Sequence, residues 1–154
     1  MTRIPDTFNA AFVEDMRLRL ESLTEAAVSR QPAPEVWSAK QVLGHLVDSA
    51  ANNHARWARM AGEDDLTFPT WDQDAWMTVQ DWQGREWVEI LPLWHAYNLH
   101  LARFASLLTP EALDRRARIG TLNGGEPMML EALLAHYERH MRHHLAQIWE
   151  RAEA

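Results

Sequence analysis

Apolar side chains recur at three- and four-residue spacing along most of this chain, and that period commits it to helices. From about residue 5 to 28 the stripe is Phe8, Phe12, Met16, Leu20 and Leu23. Pro32 and Pro34 stop this first helix, because proline cannot continue a helix interior. A second helix starts at Ser38, where Gln41 three residues on completes a capping box, and runs to about residue 60 before Ala61-Gly62. Its buried stripe is Val42, Leu43, Leu46, Ala50 and Trp57. A connection from 63 to about 84 follows, rich in Asp, Thr and Trp, with a short helical piece expected around 74–79. A third helix is expected over about 85–108, with Pro92 in a kink or a late first turn. Thr109-Pro-Glu-Ala112 reads as the cap and first turn of a short helical segment. Gly120, Gly124 and Gly125 mark a turn or a small hairpin-like excursion. The last helix is expected over about 127–151. Strand-like alternation is nearly absent, and there is no internal repeat.

Four long helices in 154 residues predict an all-α, single-domain four-helix bundle over 1–154. The first and last connections are short enough to imply neighbouring antiparallel helices. The middle connection is longer than the roughly 2–8 residues of a plain up-down bundle. It has the length to cross the bundle and let helices two and three run parallel.

Composition removes several functions. A net charge of −7 gives no basic face for phosphates, so nucleic acid is not an expected partner. No apolar run reaches the roughly 20 residues that cross a bilayer, so no membrane is expected either. The opening MTRIPDTFNAAF lacks the pattern of a secretory signal, and a cytoplasmic location is the expectation. Cysteine is absent, which excludes disulfides, thiolate ligands and a protein thiol nucleophile. The eight tryptophans supply packing area first. Were they to leave an apolar patch, a homodimer would follow.

Four of the eight histidines lie on the last helix: His136, His140, His143 and His144. Histidines four apart share a face, so His136 with His140, or His140 with His144, can converge on one ion. Against the stripe of Leu130, Leu133, Leu134, Tyr137, Met141, Leu145 and Ile148, helical phase selects His140 and His144. His136 and His143 fall outside it, on the Arg139 side. A third ligand must come from another helix, with His45, His54, His95 and His100 as candidates. His45 sits on the flank of the second-helix stripe with Ser49, Asn52 and Arg56, whereas His54 lies nearer its apolar centre. Phase leaves that choice open.

The stretch Trp37-Ser-Ala-Lys-Gln-Val-Leu-Gly-His-Leu-Val-Asp48 resembles the second-helix signature of the DinB-like superfamily, which includes the bacillithiol transferases. The stretch His140-Met-Arg-His-His-Leu-Ala-Gln-Ile148 is similar to that family's last-helix motif, and Trp71-Asp-Gln-Asp-Ala-Trp76 resembles its middle segment. The resemblance implies an up-down-down-up bundle and a metal site of His45, His140 and His144. Three imidazoles leave a coordination position open, as catalytic zinc sites do. The implied cofactor is one divalent ion, zinc or nickel foremost, with iron and manganese also compatible. Transfer of a low-molecular-weight, bacillithiol-like thiol to an electrophilic small-molecule substrate is the leading expectation. Hydrolysis through metal-activated water is the alternative, and a non-catalytic binding bundle is the second. Asp48 is a candidate to orient a ligand imidazole. Asn52 and Gln147 are candidates for substrate contact, and Arg56 and Arg59 for the carboxylates of an anionic thiol.

Overall fold

The computed structural model describes residues 3–154. The first helix is split. Helix α1 (Ala10–Glu21) is capped by Asn9, whose side chain accepts from the Phe12 N–H at 2.9 Å. It ends at Ser22, and Thr24 caps a separate short helix, α2 (Glu25–Ser29). Asn9, Ser22 and Thr24 offer side-chain hydrogen bonds that compete with helix continuation, so the apolar stripe outlasts the helix at both ends. Helix α3 (Ala39–Met60) begins with the expected capping box of Ser38 and Gln41. Strand β1 (Leu66–Phe68) and helix α4 (Gln73–Gln80) lie in the middle connection. Helix α5 (Trp87–Ser106) carries Pro92 on its exposed side. Helix α6 (Pro110–Asp114), strands β2 (Arg116–Ile119) and β3 (Met128–Met129), and helix α7 (Leu130–Glu153) complete the chain.

The excursion marked by Gly120, Gly124 and Gly125 is the β2–β3 hairpin of a small sheet, whereas strand β1 has no counterpart in the sequence reading. The sheet order is β1-β2-β3, with β1 parallel to β2 (Leu66 opposite Ala117) and β2 antiparallel to β3 (Arg116 opposite Met129). Segments of two to four residues are too short for alternation to register, and the β1–β2 pairing joins distant parts of the chain. Pairing of Met128 and Met129 with β2 also explains why α7 starts at Leu130 rather than 127.

Side-chain pairs fix the helix directions. On α3 and α5, His54 meets Tyr97 and Trp57 stacks on Phe104, so the two helices run parallel. Glu14 meets His95 while the Leu20 carbonyl accepts from Trp87, so α1 and α5 are antiparallel. Phe8 meets Tyr137 and Arg19 lies over Trp149, so α1 and α7 are parallel. His45 meets His140 while Trp57 meets Tyr137, which makes α3 and α7 antiparallel. The order is up-down-down-up, and the long middle connection crosses the bundle. One expectation holds in part. The short first and last connections do join antiparallel helices, but these are not the closest neighbours, because α1 packs chiefly on α5 while α3 packs between α5 and α7.

The core contains Trp57, Trp94, Leu43, Ile90, Leu133 and Met141, all essentially inaccessible. Across it the Tyr137 hydroxyl donates to Asn98 Oδ1 at 2.7 Å. Gly44 is required by packing. The Trp82 indole lies flat against its backbone, and a Cβ there would come within 2.5 Å of Trp82 Cδ2. All eight tryptophans are buried or half-buried, and the exposed large apolar residues are scattered, including Leu18, Val79 and Leu107. The reason for expecting a homodimer is therefore gone. Among the described residues no helix is long and apolar enough to cross a membrane.

Candidate metal centre

Helix α3 delivers His45 and helix α7 delivers His140 and His144 to one point. His45 Nε2 lies 3.2 Å from His140 Nε2, and His144 Nε2 lies 3.1 Å from the same atom. The three ligand nitrogens all lie within 4.8 Å of one another. A tetrahedral ion with metal–nitrogen bonds of about 2.0–2.1 Å holds its ligand nitrogens about 3.3 Å apart. The side chains are thus close to the spacing a bound cation requires.

The protonation states agree. His144 Nδ1 is 2.8 Å from Gln147 Oε1, an oxygen that only accepts, so Nδ1 carries the proton and Nε2 presents its lone pair inward. His140 Nε2 faces two nitrogens, and a single N–H there can satisfy only one of them. A cation satisfies all three. Burial holds His45 down at about 4 and His140 at about 3, with the neighbouring imidazoles adding to the effect, and burial also lowers His144. Near neutral pH all three rings are uncharged, the form that binds metal.

His45 is only 1% exposed, although helical phase put it on the flank of its stripe. The crossover accounts for the difference. Trp71, in the segment before α4, stacks on the His45 ring at 5.5 Å between centroids, and Trp37 meets the same ring at a tilt, 5.2 Å away. Its Nδ1 has no hydrogen-bond partner among the described residues, so on that edge the ring is held by packing, while Nε2 meets His140. His54, the rival ligand, turns toward α5 and hydrogen-bonds the Tyr97 hydroxyl through Nδ1 at 2.9 Å. His100 packs beside His54, and His95 pairs with Glu14. None of these three reaches the triad.

The remaining expectations divide. Asp48 is 2% exposed, so it is not a solvated acid, yet its carboxylate does not meet a ligand ring. It accepts from Gln80 Nε2 at 2.8 Å and from the Trp82 indole N–H at 3.1 Å, which ties the crossover to α3. Asn52 donates to the Asp48 carbonyl of its own helix. Gln147 holds His144 on one side and His143 on the other. His136 departs from the phase reading. It is half-buried, stacks on His140 with 13° between ring planes, and lines the same cleft as the ligands.

That cleft has a volume of about 170 Å³ and opens beside His45 and His140. Ser49, Asn53, Arg56, Thr70, Trp71 and Gln73 are among its walls. Asn53 and Thr70 carried no sequence signal, and Gln73 was seen only as part of the Trp71–Trp76 stretch. Two of them belong to the crossover, whose docking is set by tertiary contacts. No aspartate or glutamate lines the cleft among the described residues.

Comparison with known proteins points the same way. A Halalkalibacterium halodurans protein, BH0277, named as an inferred metal-dependent hydrolase, is 27% identical over 127 residues, covering 82% of this chain and 72% of the relative. Among solved structures, YfiT from Bacillus subtilis superposes with a TM-score of 0.78 at 23% identity, over 96% of this chain and 85% of its own. It is described as a probable metal-dependent hydrolase with an unusual four-helix bundle topology. The sequence profile of the DinB superfamily matches residues 11–148, and this chain belongs to that superfamily.

Proposed function

We propose that this chain is a metal-dependent hydrolase of a small-molecule substrate, with one divalent cation held by His45, His140 and His144. The observation that carries the reading is the convergence of three neutral Nε2 atoms on one point in the wall of a cleft. Zinc or nickel suits three imidazoles best, and iron or manganese is compatible. Such an ion is a Lewis acid that activates water at neutral pH when a coordination position stays open. The chain's own residues supply the rest. Trp37 and Trp71 both pack against the His45 ring and restrict it. Gln147 holds the His144 tautomer, as outer partners of metal-bound imidazoles do. His136 is held neutral by burial and by the nearby charges of Arg139 and Arg56, and it makes no hydrogen bond of its own among the described residues. It lines the cleft as an uncharged imidazole. The names of BH0277 and YfiT support a hydrolytic, metal-dependent reaction.

A second reading is transfer of a low-molecular-weight, bacillithiol-like thiol to an electrophile in the cytoplasm. It is favoured by the lack of a carboxylate along the cleft, because a thiol held on a divalent ion loses its proton without a protein base. With no cysteine in the chain, that thiol must arrive as a cosubstrate.

Elemental analysis of purified protein, followed by turnover assays after loading with zinc, nickel or manganese, tests both. His45→Ala, His140→Ala and His144→Ala should each lose the metal, and His54→Ala should keep it. Loss in His54→Ala but not in His45→Ala would overturn the site. Metal-dependent cleavage of a chromogenic ester or amide supports hydrolysis. Metal-dependent conjugation of bacillithiol without cleavage supports transfer. Bound metal with neither activity would mean a binding protein.

A further inference from the structure

Arg56 lies on α3 three turns after His45 and lines the same cleft. It is 8% exposed, and burial alone lowers its affinity for the proton, with no compensating charge. Among the described residues its guanidinium has one hydrogen bond, from Nη2 to the Pro69 carbonyl at 3.4 Å, at the long limit for such a bond. It has no carboxylate partner among the described residues, and the titratable ring facing it is the neutral His136. Arg59, one turn on, is ordinary by contrast: it is exposed and rests over the Phe68 ring.

A guanidinium keeps its charge even when buried. Without an opposing charge it is costly to bury, and natural proteins pair such groups or use them. The planar fork of N–H donors left facing the cleft matches one group above others, a carboxylate taken through two parallel hydrogen bonds. Arg56 supplies one positive charge, which suits a monoanion better than a phosphate dianion. We infer that Arg56 is the substrate anchor of this site and selects small molecules bearing a carboxylate, held in the cleft beside the three histidines. This rests on the cleft being the substrate site, as the proposed function has it.

Calorimetric titration of the chain with benzoate, benzamide and inorganic phosphate tests the assignment, both with its metal and after chelation. Benzoate should bind the parent in both states, and benzamide should bind at least about tenfold more weakly. Arg56→Met should weaken benzoate by about ten- to a hundredfold in both states. Arg56→Lys, which keeps the charge but loses the fork, should fall between them. A structural role is separated by melting temperature. Removing an unpaired buried charge should leave the ligand-free Arg56→Met variant at least as stable as the parent, whereas a structural arginine would destabilise it when lost. The inference is overturned if the parent binds no benzoate, if benzamide binds equally well, or if phosphate binds in its place. It is also overturned if Arg56→Met leaves affinity unchanged or lowers the melting temperature by several degrees. Should the chain prove to hold no metal, benzoate binding that depends on Arg56 would still stand, so the two readings fail separately.

Discussion

Replacing Gly44 with alanine tests how the crossover is locked over the metal centre. In an exposed helix this change would stabilise by about 0.8–1.0 kcal/mol, because alanine is the better helix former. Here the added Cβ would lie 2.5 Å from Trp82 Cδ2 and 2.7 Å from Cδ1, nearer than side-chain carbons approach. The obstacle is a rigid, buried ring, 3% exposed, so it cannot swing aside as a flexible chain would. Overpacking of this kind costs about 1–3 kcal/mol. Moving the indole also withdraws its N–H from Asp48 Oδ2, now 3.1 Å away, and a hydrogen bond to a buried carboxylate contributes about 1.5–3 kcal/mol. The balance is a loss of about 2–5 kcal/mol. For a chain of this size that is a fall of roughly 5–15 °C in melting temperature. Urea and thermal denaturation of the metal-free protein would measure it. In a Trp82→Leu background Gly44→Ala should cost less than it does in the parent, because the smaller side chain leaves room for the methyl group. A Gly44→Ala variant as stable as the parent would refute the argument, since it would mean the indole yields without cost.

Three further outcomes follow from contacts already described. The metal-free chain should lose stability steadily as pH falls from about 6.5 toward 4. His45 and His140 take up protons in the unfolded chain across that range while burial keeps them neutral in the folded one, so acid favours unfolding. Denaturation at pH 7, 5.5 and 4.5 would show this, and a flat profile would contradict it. Gln147→Leu should weaken metal binding by about ten- to a hundredfold without unfolding the chain, measured by competition with a chromophoric chelator. Tyr137→Phe should cost about 1–3 kcal/mol in urea denaturation, because it leaves Asn98 Oδ1 buried without its donor.

Sequence alone determined the helices, because a stripe of apolar residues at helical spacing needs only local geometry to be read. It located the capping box at Ser38 and showed that the middle connection is long enough for α3 and α5 to run parallel, without deciding that they do. It also separated His140 and His144 from His143, whose exposure follows from its place on the helix. Tertiary structure decided what depends on distant partners. His45 is buried because Trp71 and Trp37 close over it, and His136 joins the cleft although its phase points elsewhere. Asp48 is turned to Trp82 and Gln80 rather than to a ligand, and Arg56 is enclosed with no carboxylate partner among the described residues. Each of these depends on where the crossover docks. That docking is a sum of contacts between residues far apart in the chain, which no local period encodes.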